Sequence, residues 1–88
     1  MAKRNKLEIM KDILEIVKDN NHIKPTPLLR KSNLSSTNFK LYFNDLSKKQ
    51  FIQEINIKDE KFIKLTEEGF RFLEKYKNII DFINEFGL

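Results

Sequence analysis

The apolar residues of this chain keep a helical spacing almost throughout and break it once. From Phe51 the pattern turns to a β-branched and aromatic run, "FIQEINI", then a charged "KDEK", then "FIKL" up to Leu65. Two strand-forming runs joined by a few polar residues read as a β-hairpin. Its connection, Lys58–Lys61, has no Gly, so the turn type stays open. On both sides of the hairpin the spacing is helical. Lys6–Asn20 places Leu7, Met10, Ile13, Leu14 and Val17 on one stripe, with Asn5 as N-cap and Glu8 at the third helical position. "DNNH" (Asp19–His22) ends this helix. In "KPTPLLRKSN", Thr26 before Pro27 reads as an N-cap and first helical position, and Asn33 as the stop. A third helix begins at Ser35 or Ser36 and reaches about Lys49, with Phe39, Phe43 and Leu46 on its inner face. Thr66 caps a last helix that runs to about Phe86, with Glu67 and Glu68 at its positive end and Gly87 beyond.

The order is α1-α2-α3-β-β-α4, a mainly α (α+β) chain. A tight pair of helices followed by a hairpin is the winged helix-turn-helix arrangement. The length of 88 residues holds one small domain. Residues 1–66 form its body and 67–88 a long C-terminal dimerisation helix, together one compact unit.

"LTEEG" (Leu65–Gly69), between a hairpin and a helix continuing "FRFLEKY", resembles the wing-to-last-helix junction of many prokaryotic winged-helix regulators. The stretch "KLEIMKDILEIVKDNNHIKPTPLLRKSNLSSTNFKLYFNDLSKKQFI" is similar to the small basic archaeal winged-helix proteins, which include a chromatin-associated group in the Sulfolobales. The resemblance covers residues 6–86. It implies a homodimer joined by an antiparallel coiled coil of the last helices, binding double-stranded DNA. It also implies backbone contacts from around the second helix, where Lys24, Thr26, Arg30 and Lys31 stand. Two positions depart from the family pattern. Gln50 stands where a Gly usually ends the third helix, and the hairpin tip carries two acids, Asp59 and Glu60.

Charge is distributed in the same sense. Residues 21–50 hold six bases (Lys24, Arg30, Lys31, Lys40, Lys48, Lys49) and one acid, Asp45, whereas residues 67–88 hold three bases and five acids. A face pressed on phosphates should lack carboxylates, since each repels the duplex. The plainer reading of such a region is a solvated Lys-rich surface.

On the outer face of the third helix stand Ser36, Thr37, Asn38, Lys40, Leu41 and Asn44. Residues early in such a helix enter the major groove. Their hydroxyls and amides suit phosphates or adenine edges, Lys40 suits guanine or phosphate, and Leu41 suits either a thymine methyl or burial at the helix edge. The plainer reading is capping, which accounts for Ser35 but not for the rest. There is no Arg or Gln on this face, so the strongest guanine reader is missing. Lys61 in the hairpin and an N-terminal arm of Lys3, Arg4 and Lys6 are further candidate DNA contacts. Tyr42 is expected to pack at the helix flank with its hydroxyl at the surface, a phosphate bond being the alternative.

In the last helix Phe72, Tyr76, Ile79, Ile83 and Phe86 follow steps of 4, 3, 4 and 3, with Ile80 on a second stripe. One small domain cannot cover so much apolar surface, so these six residues are the expected homodimer interface; the plainer reading is a helix that folds back across its own core. The remaining inventory points away from other functions. The absence of Cys removes disulfides and thiolate chemistry, the single His22 has no ligand set around it, and the only Gly residues are 69 and 87, so no phosphate loop can form. No enzyme, cofactor, metal or small-molecule ligand is expected, nor a membrane span or signal peptide. The expected location is cytoplasmic and nucleoid-associated. The function expected is that of a transcriptional regulator or architectural protein. The alternative is a winged-helix module that binds protein instead of DNA.

Overall fold

The computed structural model describes residues 4–88, so Lys3 of the expected N-terminal arm lies outside the described residues. Four helices and three short strands follow in the order α1 (Lys6–Asp19), β1 (His22–Ile23), α2 (Pro25–Ser32), α3 (Ser36–Lys48), β2 (Ile52–Ile57), β3 (Glu60–Leu65) and α4 (Glu67–Phe86). All three strands form one antiparallel sheet in the order β1-β3-β2.

The local signals act where they were expected, with three corrections. Asn5, Ser35 and Thr66 cap their helices, accepting from the N–H groups of Glu8, Asn38 and Gly69. The second helix starts two residues earlier than the Thr26–Pro27 pair suggests. Pro25 takes the first position, Lys24 is the cap residue and offers no side-chain bond, and Thr26 and Pro27 lie inside the first turn. Either Pro fits there because N–H groups of the first turn have no helical partner. The hairpin connection is two residues, not four: Ile57 pairs with Glu60, leaving Lys58 and Asp59 at φ 51° and 65°. Two successive positive φ values mark a type I′ turn, here built without Gly. The third correction is β1, which the reading of Asp19–His22 as a plain helix end had missed. His22 and Ile23 pair with Lys64 and Ile63, so β3 becomes the central strand.

The core draws on every element except α4, whose Phe72 and Leu73 pack against it half-buried. Met10, Ile13, Leu14 and Val17 of α1 meet Ile23, Leu28, Phe39, Leu46 and the sheet residues Ile52, Ile63 and Leu65. Leu46 is wholly buried, a contribution of roughly 1.5–3 kcal/mol that fixes which side of α3 faces out. Between α2 and α3, Asn33 adopts φ 59°. Buried Ser32 secures that turn, donating from Oγ to the Leu29 carbonyl at 2.6 Å and accepting from the Leu34 N–H at 3.3 Å.

The junction of hairpin and last helix depends on Gln50 and Gly69. Gln50 takes φ 61°, and the N–H groups of Gln50 and Phe51 reach back to the carbonyls of Ser47 and Leu46 at 3.0 Å each. This is a Schellman ending with a side chain where Gly is favoured. Thr66 ties it to α4, donating from Oγ1 to the Gln50 carbonyl at 2.6 Å and from its N–H to the Phe51 carbonyl at 3.0 Å. Gly69 presses on the same place, and a Cβ there would overlap the Phe51 carbonyl and stand 2.6 Å from Leu65 Cδ1.

Candidate nucleic-acid interface

Helix α3 turns about 100° per residue, so its burial pattern assigns its faces. Phe39 and Leu46 are buried and Tyr42 and Phe43 half-buried, while Ser36, Thr37, Asn38, Lys40, Leu41 and Asn44 are all exposed. Opposite Leu46 run Thr37, Leu41, Asn44 and Lys48, at i, i+4, i+7 and i+11. Lys48 belongs to this stripe and was absent from the sequence-derived set, although the same spacing pointed to it. Ser36 and Lys40 lie on the hairpin side, in a cleft shared with Pro25, Phe43, Glu54 and Lys61. Asn38 lies on the α1 side, in a groove with Lys6, Ile9, Leu34 and Asp45.

The one acid of α3 is neutralised. Asp45 sits 2.7 Å from Lys49 Nζ and 3.8 Å from Lys6 Nζ. The Lys49 hydrogen bond, with the charges of Lys49, Lys6 and Lys48, holds its carboxyl below the ordinary carboxylate range, outweighing desolvation. The outward stripe therefore carries no carboxylate, and its flank presents one that is already paired.

The cations divide into two groups. Lys24 meets Glu60 at 3.0 Å, and Lys61 meets Glu54 at 3.6 Å, so both candidate contacts beside the hairpin are compensated. Among the described residues, Arg30, Lys31, Lys40 and Lys48 hold no ion pair, and all four are exposed. Thr26 is exposed as well, in the first turn of α2. Arg4 does not form a free arm. Its guanidinium donates to Asp12 at 3.0 Å and to the Ser32 carbonyl at 3.1 Å, clamping α1 to the end of α2. Burial raises the Asp12 pKa, but hydrogen bonds from Lys11 and Arg4 outweigh it and hold the carboxyl low.

A family model describing winged helix-turn-helix proteins matches residues 3–84. The chain belongs to the winged helix-turn-helix family. Among solved structures it is similar to Sso10a-2, a DNA-binding protein from Sulfolobus solfataricus, at 20% identity and a TM-score of 0.74, covering 94% of this chain and 85% of that one. It is similar to F-93 of SSV1 at 26% identity and a TM-score of 0.68, covering 89% and 91%. F93 from STIV, a winged-helix DNA-binding protein, aligns at 15% identity and a TM-score of 0.69, covering 89% and 91%. No curated protein matches the sequence. The resemblance to small archaeal winged-helix proteins drawn from the α1–α3 stretch thus stands, and the β2–β3 hairpin is the wing.

Helix α4 behaves as two halves. Phe72 and Tyr76 are half-buried against their own domain. Phe72 packs on Phe51 with ring centroids 5.1 Å apart, and Lys11 Nζ lies 5.7 Å from the Tyr76 ring. From Lys77 to Phe86 every residue but Ile83 is exposed. Ile79 is 59% exposed, Phe82 55% and Phe86 61%, and Ile80 is also open to solvent. Of the six expected interface residues, Phe72 and Tyr76 are partly used by the intrachain core, and the other four extend the stripe beyond it. Among the described residues, no helix is long and apolar enough to cross a membrane, and no group of His, Cys, Asp or Glu side chains is arranged to hold a metal.

Proposed function

We propose that this winged helix is a homodimeric protein that binds double-stranded DNA, with α3 in the major groove and the C-terminal segment 67–88, α4 and the two residues after it, joining the two copies. The observation that carries the reading is the carboxylate-free stripe Thr37–Leu41–Asn44–Lys48, flanked by Ser36 and Lys40 and by Arg30 and Lys31 of α2. Such a surface repels no phosphate and offers hydroxyls, amides and cations to it. Similarity to Sso10a-2 and to F93 from STIV, both described as DNA-binding, supports the same reading. Asn38, on the α1 flank, fits a phosphate at the groove edge. Lys24 and Lys61 come into play only when their acids yield. Without an Arg on the stripe, this face suits holding DNA more than selecting one operator.

A salt titration of duplex binding tests the proposal. If the four exposed cations each neutralise one phosphate, log K falls against log[salt] with a slope of roughly −3.6 per protomer. Lys40→Ala reduces that slope by about 0.9. No measurable duplex affinity at about 50 mM salt would falsify the proposal. A protein-binding module is the second reading, favoured by the compensated wing cations Lys24 and Lys61. It predicts that flat result.

The dimer follows from the exposed half of α4, whose apolar side chains have no cover within the described residues. Sedimentation at micromolar concentration should give a dimer, and replacing both Ile79 and Ile83 with Lys should give a folded monomer. A monomeric parent protein removes this part of the proposal. A genomic footprint separates the two roles: a discrete palindrome marks a regulator, and uniform protection an architectural protein.

A further inference from the structure

We infer that Leu41 reads thymine methyl groups, so that α3 favours thymine-rich duplexes. This rests on the DNA-binding reading above. Leu41 stands in the middle of the outward stripe and is 64% exposed. Its stripe neighbours are Thr37, one turn before it, and Asn44 and Lys48 after it. On the free protein most of this Leu faces water, and the rest lines the groove shared with Ile9, Leu34 and Tyr42.

The chemistry of the groove supplies the missing partner. Of the groups that unmodified base pairs display in the major groove, the thymine C5-methyl is the apolar one. Thr37 adds a methyl beside Leu41, and Asn44 brings an amide suited to adenine N6 and N7. An A·T pair presents a methyl and an adenine edge side by side. A stripe alternating methyl, methyl and amide therefore matches A·T pairs better than G·C pairs, and it holds no Arg to favour guanine. The apolar side chain adds preference for composition, while the surrounding hydroxyls and cations hold the backbone. Each methyl buried against Leu41 strengthens binding by about four-fold, as for transfer of one methylene-sized group out of water.

The test varies the methyl alone. Binding is measured by fluorescence anisotropy on an A·T-rich duplex, on the same duplex with deoxyuridine for every thymidine, and on a G·C-rich duplex with cytosine or 5-methylcytosine. The wild-type protein should lose about four-fold or more on removal of the thymine methyls. It should regain affinity for the G·C-rich duplex when cytosine is methylated, since that methyl projects into the same groove. Leu41→Ala should lose most of both effects, the remainder belonging to Thr37 and the Ala methyl, while keeping its thermal midpoint. Equal wild-type affinity for the thymine and uracil duplexes overturns the inference. So does a Leu41→Ala protein that retains the full preference. Failure to bind any of the duplexes at about 50 mM salt overturns the DNA reading itself, a distinct result.

Discussion

Replacing Gly69 with Ala should destabilise this protein, although the substitution lies within a helix, where it ordinarily helps. Gly69 is the third residue of α4, and exchanging Gly for Ala in a helix is worth roughly 1 kcal/mol of propensity. Here the new Cβ would stand 2.6 Å from Leu65 Cδ1 and overlap the Phe51 carbonyl oxygen. Carbon atoms rest about 3.5–4.0 Å apart, so the neighbours must retreat by roughly 1 Å. Leu65 is buried in the core and has little room to move. The Phe51 carbonyl accepts the Thr66 N–H at 3.0 Å, and displacing it strains the bond that joins wing and helix. Overpacking of this kind costs about 1–3 kcal/mol, and the weakened hydrogen bond about 0.5–1.5. After the propensity gain, a net loss of about 2 kcal/mol remains. For a chain of this size that lowers the melting temperature by roughly 8–16 °C. Circular dichroism melts at one fixed protein concentration measure it, because the proposed dimerisation would make the midpoint concentration-dependent. A midpoint equal to or above that of the parent would show that α4 does not rest on Phe51 as described.

The neighbouring turn predicts the opposite sign. Gln50→Gly relieves a left-handed residue with a Cβ, and after the extra freedom of Gly in the unfolded chain it should stabilise by about 0.5–1 kcal/mol in urea unfolding. A loss of stability would mean that the Gln50 side chain has a role that its backbone does not reveal. Glu54→Gln should release Lys61, tighten duplex binding and steepen the salt slope by up to about 0.9, whereas an unchanged slope would place the wing away from phosphates. Acid should weaken the α1–α2 clamp. Asp12 is held below its unfolded-state pKa by Lys11 and Arg4, so its contribution is complete above that value and disappears as pH falls through the folded one. Stability should therefore decline below about pH 4, and Asp12→Asn should flatten part of that decline in pH-dependent unfolding.

What the sequence determined by itself was the set of long elements and their caps. Helical spacing marked α1, α3 and α4 because each must bury a continuous stripe. Asn5, Ser35 and Thr66 announced their starts because a helix opening leaves N–H groups that a short side-chain oxygen can satisfy. The charge-balanced wing and the acid-depleted segment from 21 to 50 were also visible, since charge requires no coordinates.

The tertiary structure decided the rest. Strand β1 is only two residues and shows no period, and it exists because β3 offers an edge to His22 and Ile23. The Thr26–Pro27 pair puts the start of α2 two residues late, because either proline suits a first turn and chain placement chose Pro25. Which cations are available depended on distances no sequence states: Glu60 and Glu54 reach Lys24 and Lys61, and Asp12 captures Arg4. Lys48 stood on the outward stripe by spacing already, and the structure added that it is exposed and outside every ion pair of the described residues. Pattern fixes each element's own faces, but ion pairs, short strands and the rotation of one element against another arise only when distant residues meet.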